Sequence, residues 1–274
     1  MKRLQSISQA DKKFTTSGSQ PFRILASDLE VYICKYPRNP TDFKLINELL
    51  GNQFAKNWGI KVPDMAFIDV QNEHIPDEML GGGLSYVSLE KSILGSKVID
   101  DALDMADGLI DEMSSSELRK FKKEELLKIA LFDIWLSNDD RNHNNNNLLI
   151  KEVQSERSLI AIDHEAIFNQ GDLSRDIFEL SYEDSLLYSG VYHKIFKNSK
   201  SNVELIEQIN ASLYENTRVC NEQIDEILGL IPAEWNVDTE KLRSRLHQNI
   251  FSEVWLKKVT DTFKEHASLM LKNS

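Results

Sequence analysis

Cysteine is nearly missing from this sequence: Cys34 and Cys220 are the only two among 274 residues. They stand far apart with no His/Cys cluster around either, which argues against a disulfide framework or a zinc site. No stretch approaches 18 uninterrupted apolar residues, so no segment reads as a membrane-spanning helix. Met1–Gln5 starts basic but is not followed by an apolar core of signal-peptide length, and a cytoplasmic location is expected. Positive charge is in deficit, with 32 Lys and Arg against 44 Asp and Glu and a formal net charge of −12. Such a surface repels phosphate backbones, so general nucleic-acid binding is not expected. Internal repeats are missing too, and the low-complexity patch is an asparagine-rich run at 142–147.

What remains is the composition of an ordinary globular protein, 41% apolar and 28% charged. The length fits one large domain or two tightly joined lobes, with enough chain to bury its own core. Residues 13–36 read as β-rich. A polar segment, Thr15–Pro21, leads to a strand at Phe22–Ala26, a turn at Ser27-Asp28, and a second strand at Val31–Tyr36. Alternation in the second strand puts Val31, Ile33 and Lys35 on one face. Thr41 is a suitable N-cap for a helix carrying Ile46, Leu49, Leu50, Phe54 and Trp58 at helical spacing, with Gly59 as its stop. Met65–Val70 and Leu84–Leu89 read as strands on either side of a turn at Gly81–Gly83.

Beyond residue 90 the pattern changes. Ser114-x-x-Glu117 matches a capping box ahead of a long helix over 121–136, which is apolar all round from Leu126 and so belongs inside a core. A polar loop, 137–147, precedes two short strands, Leu148–Lys151 and Leu159–Ile162. From about residue 175 onward the pattern is helical. The expected fold is α+β and two-lobed, with a β-rich lobe over 1–90 and a mainly helical lobe over 91–274.

The chemistry concentrates after the buried helix. Asn138-Asp139-Asp140-Arg141-Asn142-His143-Asn144-Asn145-Asn146-Asn147 places carboxylates and amides ahead of one strand, and Asp163 ends the next. Phosphoryl transfer needs a carboxylate to orient the nucleophile, and an amide oxygen and a second carboxylate to hold magnesium on nucleotide phosphates. Hard oxygen donors without His/Cys clustering fit magnesium better than zinc.

Asn138-x-Asp140-Arg141-x-x-x-Asn145 followed by Asn147-Leu148-Leu149 resembles the catalytic loop of HipA-like kinases, and is similar to that of type II phosphatidylinositol 4-kinases. Ala161-Ile162-Asp163-His164 resembles the family's counterpart of the Asp-Phe-Gly element of protein kinases. Asn47-Glu48-Leu49-Leu50-Gly51 and Gly59-Ile60-x-Val62-Pro63 resemble the family's N-lobe helix and following strand, and Lys35 stands where the family has its ATP-contacting lysine. The resemblance runs from about residue 14 to 168, with Ile231-Pro232-x-x-Trp235 a fainter echo.

It implies a protein-kinase-like fold and an enzyme using ATP and magnesium. Asp140 would be catalytic, and Asn145 and Asp163 would bind magnesium. Lys35 would neutralise nucleotide phosphates, positioned by Glu48. The loop Thr16–Gln20, with Ser17, Gly18 and Ser19, would cover the phosphates. Adenine would lie against Ile33 and against backbone near Ser88–Glu90. Asp139 has Asn144 five residues on, just as Asp140 has Asn145; Asn138 and Arg141 favour Asp140. Arg141 is expected to order the loop by pairing with a carboxylate.

The acceptor implied is a serine or threonine hydroxyl of a protein, with autophosphorylation at Ser17 or Ser19 and an antitoxin-like or regulatory partner as further implications. A lipid or small-molecule kinase, a pseudokinase acting as a nucleotide-binding regulatory module, and an enzyme transferring AMP instead of phosphate are the alternatives.

Overall fold

The computed structural model describes residues 1–14, 19–37, 43–196 and 199–273. Its N-terminal part is built on a six-stranded sheet with strand order β1-β5-β6-β4-β3-β2. The strands are β1 (Lys2–Gln5), β2 (Lys12–Lys13), β3 (Phe22–Leu25), β4 (Val31–Lys35), β5 (Met65–Asp69) and β6 (Ile93–Lys97). All neighbours are antiparallel except β1, which runs parallel to β5. The helix α1 (Phe43–Asn57) crosses one face. Its expected cap, Thr41, lies outside the described residues.

Alternation in β4 does what the sequence pattern says. Tyr32, Cys34 and Tyr36 are buried with Phe22, Ile24 and Ile68 on one face, while Val31, Ile33 and Lys35 are half-buried on the other. On that second face Leu45 and Leu49 of α1 pack against Met65, Phe67, Leu94 and Trp235. On its other side Leu50 and Phe54 of α1 join the core of the helical part. The helix is thus held from both sides, and Glu48 is carried between them.

Two expectations are corrected here. Leu84–Leu89 is not a strand: Ser85 caps a short helix, α2 (Tyr86–Leu89), through a capping box with Ser88. The strand comes later, at β6, where Gly95 sits against Ile68 and Tyr32 with no room for a Cβ. The N-terminal sheet therefore extends past residue 90, to Lys97. Leu89 belongs to the core on the sheet face away from Lys35, so Ser88–Glu90 does not flank Ile33. The residue paired with Ile33 is Ser96.

The second part begins with β7 (Ala102–Asp104), which pairs with the hairpin β8 (Leu148–Val153) and β9 (Glu156–Ala161). Between them come α3 (Asp107–Asp111), α4 (Ser115–Leu118) and α5 (Lys123–Leu136). The Ser114–Glu117 capping box does form, but it caps α4, and the long helix starts separately at Lys123. α5 is buried from Leu126 to Leu136 apart from Lys128. Trp135 stacks on Trp58 at 5.1 Å and lies edge-on to Phe132; burying each such ring contributes roughly 1.5–3 kcal/mol.

After a short turn, α6 (Ile167–Gln170), the chain stays irregular through about residue 185, where the sequence predicts helix. The helices α7 (Gly190–Ile195), α8 (Lys200–Ala211), α9 (Leu213–Glu222), α10 (Ile224–Leu228), α11 (Thr239–Gln248) and α12 (Glu253–Lys272) complete the fold. α12 packs on α5, and Trp255 donates its indole N–H to the Trp135 carbonyl at 2.9 Å. No helix among the described residues is long and apolar enough to cross a membrane.

Candidate active site

The site lies between the half-buried face of β4, helix α1 and the ends of α5 and β9. Lys35, last residue of β4, points its ammonium at three carboxylates. Its Nζ is 3.0 Å from Glu48 Oε2, 2.7 Å from Asp163 Oδ1 and 3.2 Å from Glu165 Oε2. Burial alone would lower the Lys35 pKa, but the charges of Asp163, Glu48 and Glu165 outweigh it and hold the lysine well above its ordinary range. Lys35 is therefore a fixed cation.

The same crowding acts on Glu48. Burial raises its pKa, Lys35 offsets this only in part, and Asp163 and Glu165 push it further up. Glu48 Oε2 also accepts from the backbone N–H of His164 at 2.7 Å. Glu165 moves the other way. Burial would raise it, but Lys35, the Ser19 hydroxyl and Lys44 together hold it down at about 2. Lys44, from the first turn of α1, lies 3.3 Å from its other oxygen. Asn47 binds the carbonyls of Glu165, Ile167 and Gly171, fastening the segment after Asp163 to α1. Glu165 was not singled out by the sequence reading, although it directly follows Asp163-His164.

The loop after α5 is ordered from beneath. Arg141 is wholly buried and pairs with Asp133, the one acid in the apolar stretch 126–136 of α5, while its other arm donates to the Ile162 carbonyl at 2.8 Å. The expected loop-ordering ion pair is therefore present, and Asp133 is the partner. Burial raises the Asp133 pKa to about 6 despite Arg141 and the Asn138 amide, which donates to it at 3.1 Å. A single arginine thus ties the start of the loop to the residue before Asp163.

Asp140 faces the other side. Its Oδ2 accepts from the Asn145 amide at 3.0 Å and from the Asn147 amide at 2.9 Å. Asp139 instead accepts from Gln170 at 3.0 Å, and partial burial raises its pKa. The Asn147 carbonyl accepts from the Ile162 N–H at 3.0 Å, a second link between the loop and Asp163. Asp163 itself has φ +57°, in the left-handed region uncommon outside glycine. A cavity of about 430 Å³ opens beside the loop, lined in part by Asp104, Met105, Asn145, Asn147 and Ile162.

His164 is buried with both ring nitrogens unpartnered, and burial keeps it well below the ordinary histidine range. It is a neutral packing residue: its ring lies edge-on to Phe132, and its Cβ fits where Gly51 of α1 has no side chain. His143 meets Tyr188 edge-on at 5.1 Å, and its Nδ1 faces the Glu183 carbonyl.

Lys35, Glu48 and Asp163 are thus brought together, as are Asp140 and Asn145, and Ile33 shares the Lys35 face of β4. Ser19 reaches Glu165. Ser17 and Gly18 lie outside the described residues. Among the described residues no group of three or more His, Cys, Asp or Glu side chains converges as a ready-made metal cage. Asp163 and Asn145 carry hard oxygen donors of the kind magnesium takes alongside substrate phosphates.

A family model described as HipA-like kinase matches residues 7–266. No curated protein matches the chain significantly. Among solved structures, the Helicobacter pylori proinflammatory kinase CtkA is 13% identical with a TM-score of 0.54, covering 99% of each chain, and shares the fold. Weaker likenesses are the Golgi casein kinase with Mn and ADP bound, at 11% identity, 96% and 75% coverage and TM-score 0.43, and Shewanella oneidensis HipA with HipB and operator DNA, at 12% identity, 94% and 67% coverage and TM-score 0.44. This chain belongs to the HipA-like kinase family and is, as such, a phosphotransferase.

Proposed function

We propose that the chain transfers the γ-phosphoryl group of ATP to a serine or threonine hydroxyl of a protein. The observation that carries this reading is Lys35, bonded at once to Glu48 of α1 and to Asp163 at the end of the β8–β9 hairpin. The hairpin in turn holds the Asp140 loop through Ile162.

Adenine would lie on the half-buried face of β4 and β6 formed by Val31, Ile33 and Ser96. Lys35 would give up its contact with Asp163 to bind nucleotide phosphates, with Glu48 keeping it aimed. Magnesium, held by Asp163 and Asn145, would supply charge neutralisation on those phosphates. Asp140 would accept a hydrogen bond from the acceptor hydroxyl, and its amide partners fix the carboxylate in one orientation. The hydroxyl oxygen bonds to the γ-phosphorus, the bond from that phosphorus to the β–γ bridging oxygen breaks, and the hydroxyl proton moves to Asp140. Ser17, Gly18 and Ser19 would cover the phosphates.

Phosphoamino-acid analysis of protein labelled in a lysate by this chain and γ-labelled ATP tests the acceptor. Phosphoserine or phosphothreonine supports the reading, and label confined to lipid or small molecules refutes it. A second reading, self-modification, is favoured by the Ser19 hydroxyl standing against Glu165 inside the site. Mass spectrometry of ATP-treated protein should then find phosphate on Ser17 or Ser19, and unmodified serines would dismiss it.

A further inference from the structure

A second cavity, of about 550 Å³, opens at the far end of α5. The catalytic loop leaves the C-terminus of this 14-residue helix, and at a rise of 1.5 Å per residue the cavity lies about 20 Å away. Arg119, Lys123 and Lys194 line it, and none of the described lining residues is acidic. For a chain with net charge −12, such a lining is against the trend of the whole molecule.

The cations differ in how they are compensated. Lys194 pairs with Asp111. Among the described residues Lys123 pairs with no carboxylate: its Nζ donates to the Asn202 Oδ1 at 2.9 Å and sits 5.3 Å from the centre of the Phe196 ring. Burial without a counter-ion leaves its pKa below the ordinary lysine range. Arg119 is exposed and makes no ion pair among the described residues. The hydroxyl-bearing Ser115 and Ser199 share the rim. Ser199 caps the 12-residue helix α8, whose positive end therefore meets the same space. Phe121 and Ile195 give the cavity an apolar wall.

We propose that this cavity binds a phosphomonoester, the phosphoryl group between Arg119 and Lys123 and its organic substituent against Phe121 and Ile195. A phosphomonoester carries close to two negative charges and three acceptor oxygens, which matches a site with two uncompensated cations better than a single carboxylate does. Its volume is many times the ~30 Å³ of one water, leaving room for a substituent. The site is independent of the nucleotide cleft and of the reaction assigned to it.

The test is calorimetric titration of the full chain, without nucleotide or magnesium, using O-phosphoserine, a phosphoserine peptide, its unphosphorylated form and inorganic phosphate. Wild type should bind both phosphoserine probes, and the unphosphorylated peptide should not bind. Arg119→Glu and Lys123→Gln should each weaken binding by about tenfold or more, whereas Lys35→Ala should not change it. Arg119 is exposed, so its variant should melt like wild type. Tighter binding of the peptide than of O-phosphoserine would identify a protein segment as the source, and equal binding a small phosphorylated molecule. Equal binding of the unphosphorylated peptide, indifference to Arg119→Glu and Lys123→Gln, or loss on Lys35→Ala would overturn the proposal.

Discussion

The ammonium of Lys35 sits 2.7 Å from Asp163 Oδ1, so one ion pair joins the last residue of a strand in the β-rich part to the end of a hairpin in the helical part. Glu48 and Glu165 complete a set in which acids outnumber the base. Removing Lys35 should leave these acids facing one another. Lys35→Met is expected to lower kcat/KM for ATP by roughly 10²–10³-fold and to lower the urea midpoint at neutral pH. Glu48→Gln should have the same direction with a smaller effect. Steady-state kinetics with unchanged ATP dependence in Lys35→Met would remove the lysine from the site.

Arg141 and Asp133 form a pair buried away from solvent. Arg141→Met strands a carboxylate in the core and should cost about 3–5 kcal/mol of stability. The double variant Asp133→Leu, Arg141→Met removes both charges and should recover much of that loss in urea denaturation. It should still be inactive, because the tether to the Ile162 carbonyl is gone. A double variant no more stable than the single one would mean that the pair acts by packing instead of charge.

Helix α1 is fixed by two contacts that differ in kind. A Cβ on Gly51 would come 2.4 Å from the Cβ of His164, so Gly51→Ala should cost about 1–3 kcal/mol by overpacking and displace the segment carrying Asp163. Trp235 lies edge-on to Phe67 at 5.8 Å and donates its indole N–H to the Ser92 carbonyl. Trp235→Ala should cost about 3–5 kcal/mol and raise KM for ATP more than it lowers kcat, since it loosens the helix bearing Glu48. Thermal melting and kinetics check both variants, and an unchanged KM in Trp235→Ala would contradict its role in placing α1.

Glu165 makes stability depend on acid. Its folded pKa, about 2, lies below the ~4.3 of an unfolded glutamate. Its contribution is therefore complete above the unfolded value and is lost as pH falls from there toward the folded one. Glu165→Gln should be less stable than wild type at neutral pH and should show a shallower loss of melting temperature on acidification. Glu48, shifted upward, works in the opposite sense and does not produce this limb. Parallel acid limbs in wild type and Glu165→Gln would exclude the assignment.

The parts of the site that could be read from the sequence were those packed into short stretches. Asp140, Asn145 and Asp163 fall within one loop–hairpin unit whose strands are marked by apolar runs, and Lys35 ends an alternating strand. Glu165 and Asp133 escaped for different reasons. Glu165 gains its role from Lys35 and Lys44, more than a hundred residues away in the chain, which no local pattern encodes. Asp133 did leave a signal, being the one acid in the apolar run 126–136, and a buried charge asks for a partner. β6 was missed because Gly95 and Ser96 weaken its strand character, while the apolar Leu84–Leu89 ahead of it looks like one. Its strand pairing is decided by the tight packing of Ile68 and Tyr32 over Gly95.

We propose that Asp140 and Asp163 divide the work of one phosphoryl transfer. The most direct measurement is transfer of label from γ-labelled ATP in magnesium, with ADP release and nucleotide binding followed in parallel, for wild type and for Asp139→Ala, Asp140→Ala and Asp163→Ala. Asp140→Ala should lose roughly 10²–10⁴-fold in turnover while still binding nucleotide, Asp163→Ala should lose turnover and magnesium-dependent binding together, and Asp139→Ala should keep most of its activity. Turnover retained in Asp140→Ala, or lost only in Asp139→Ala, would contradict the account.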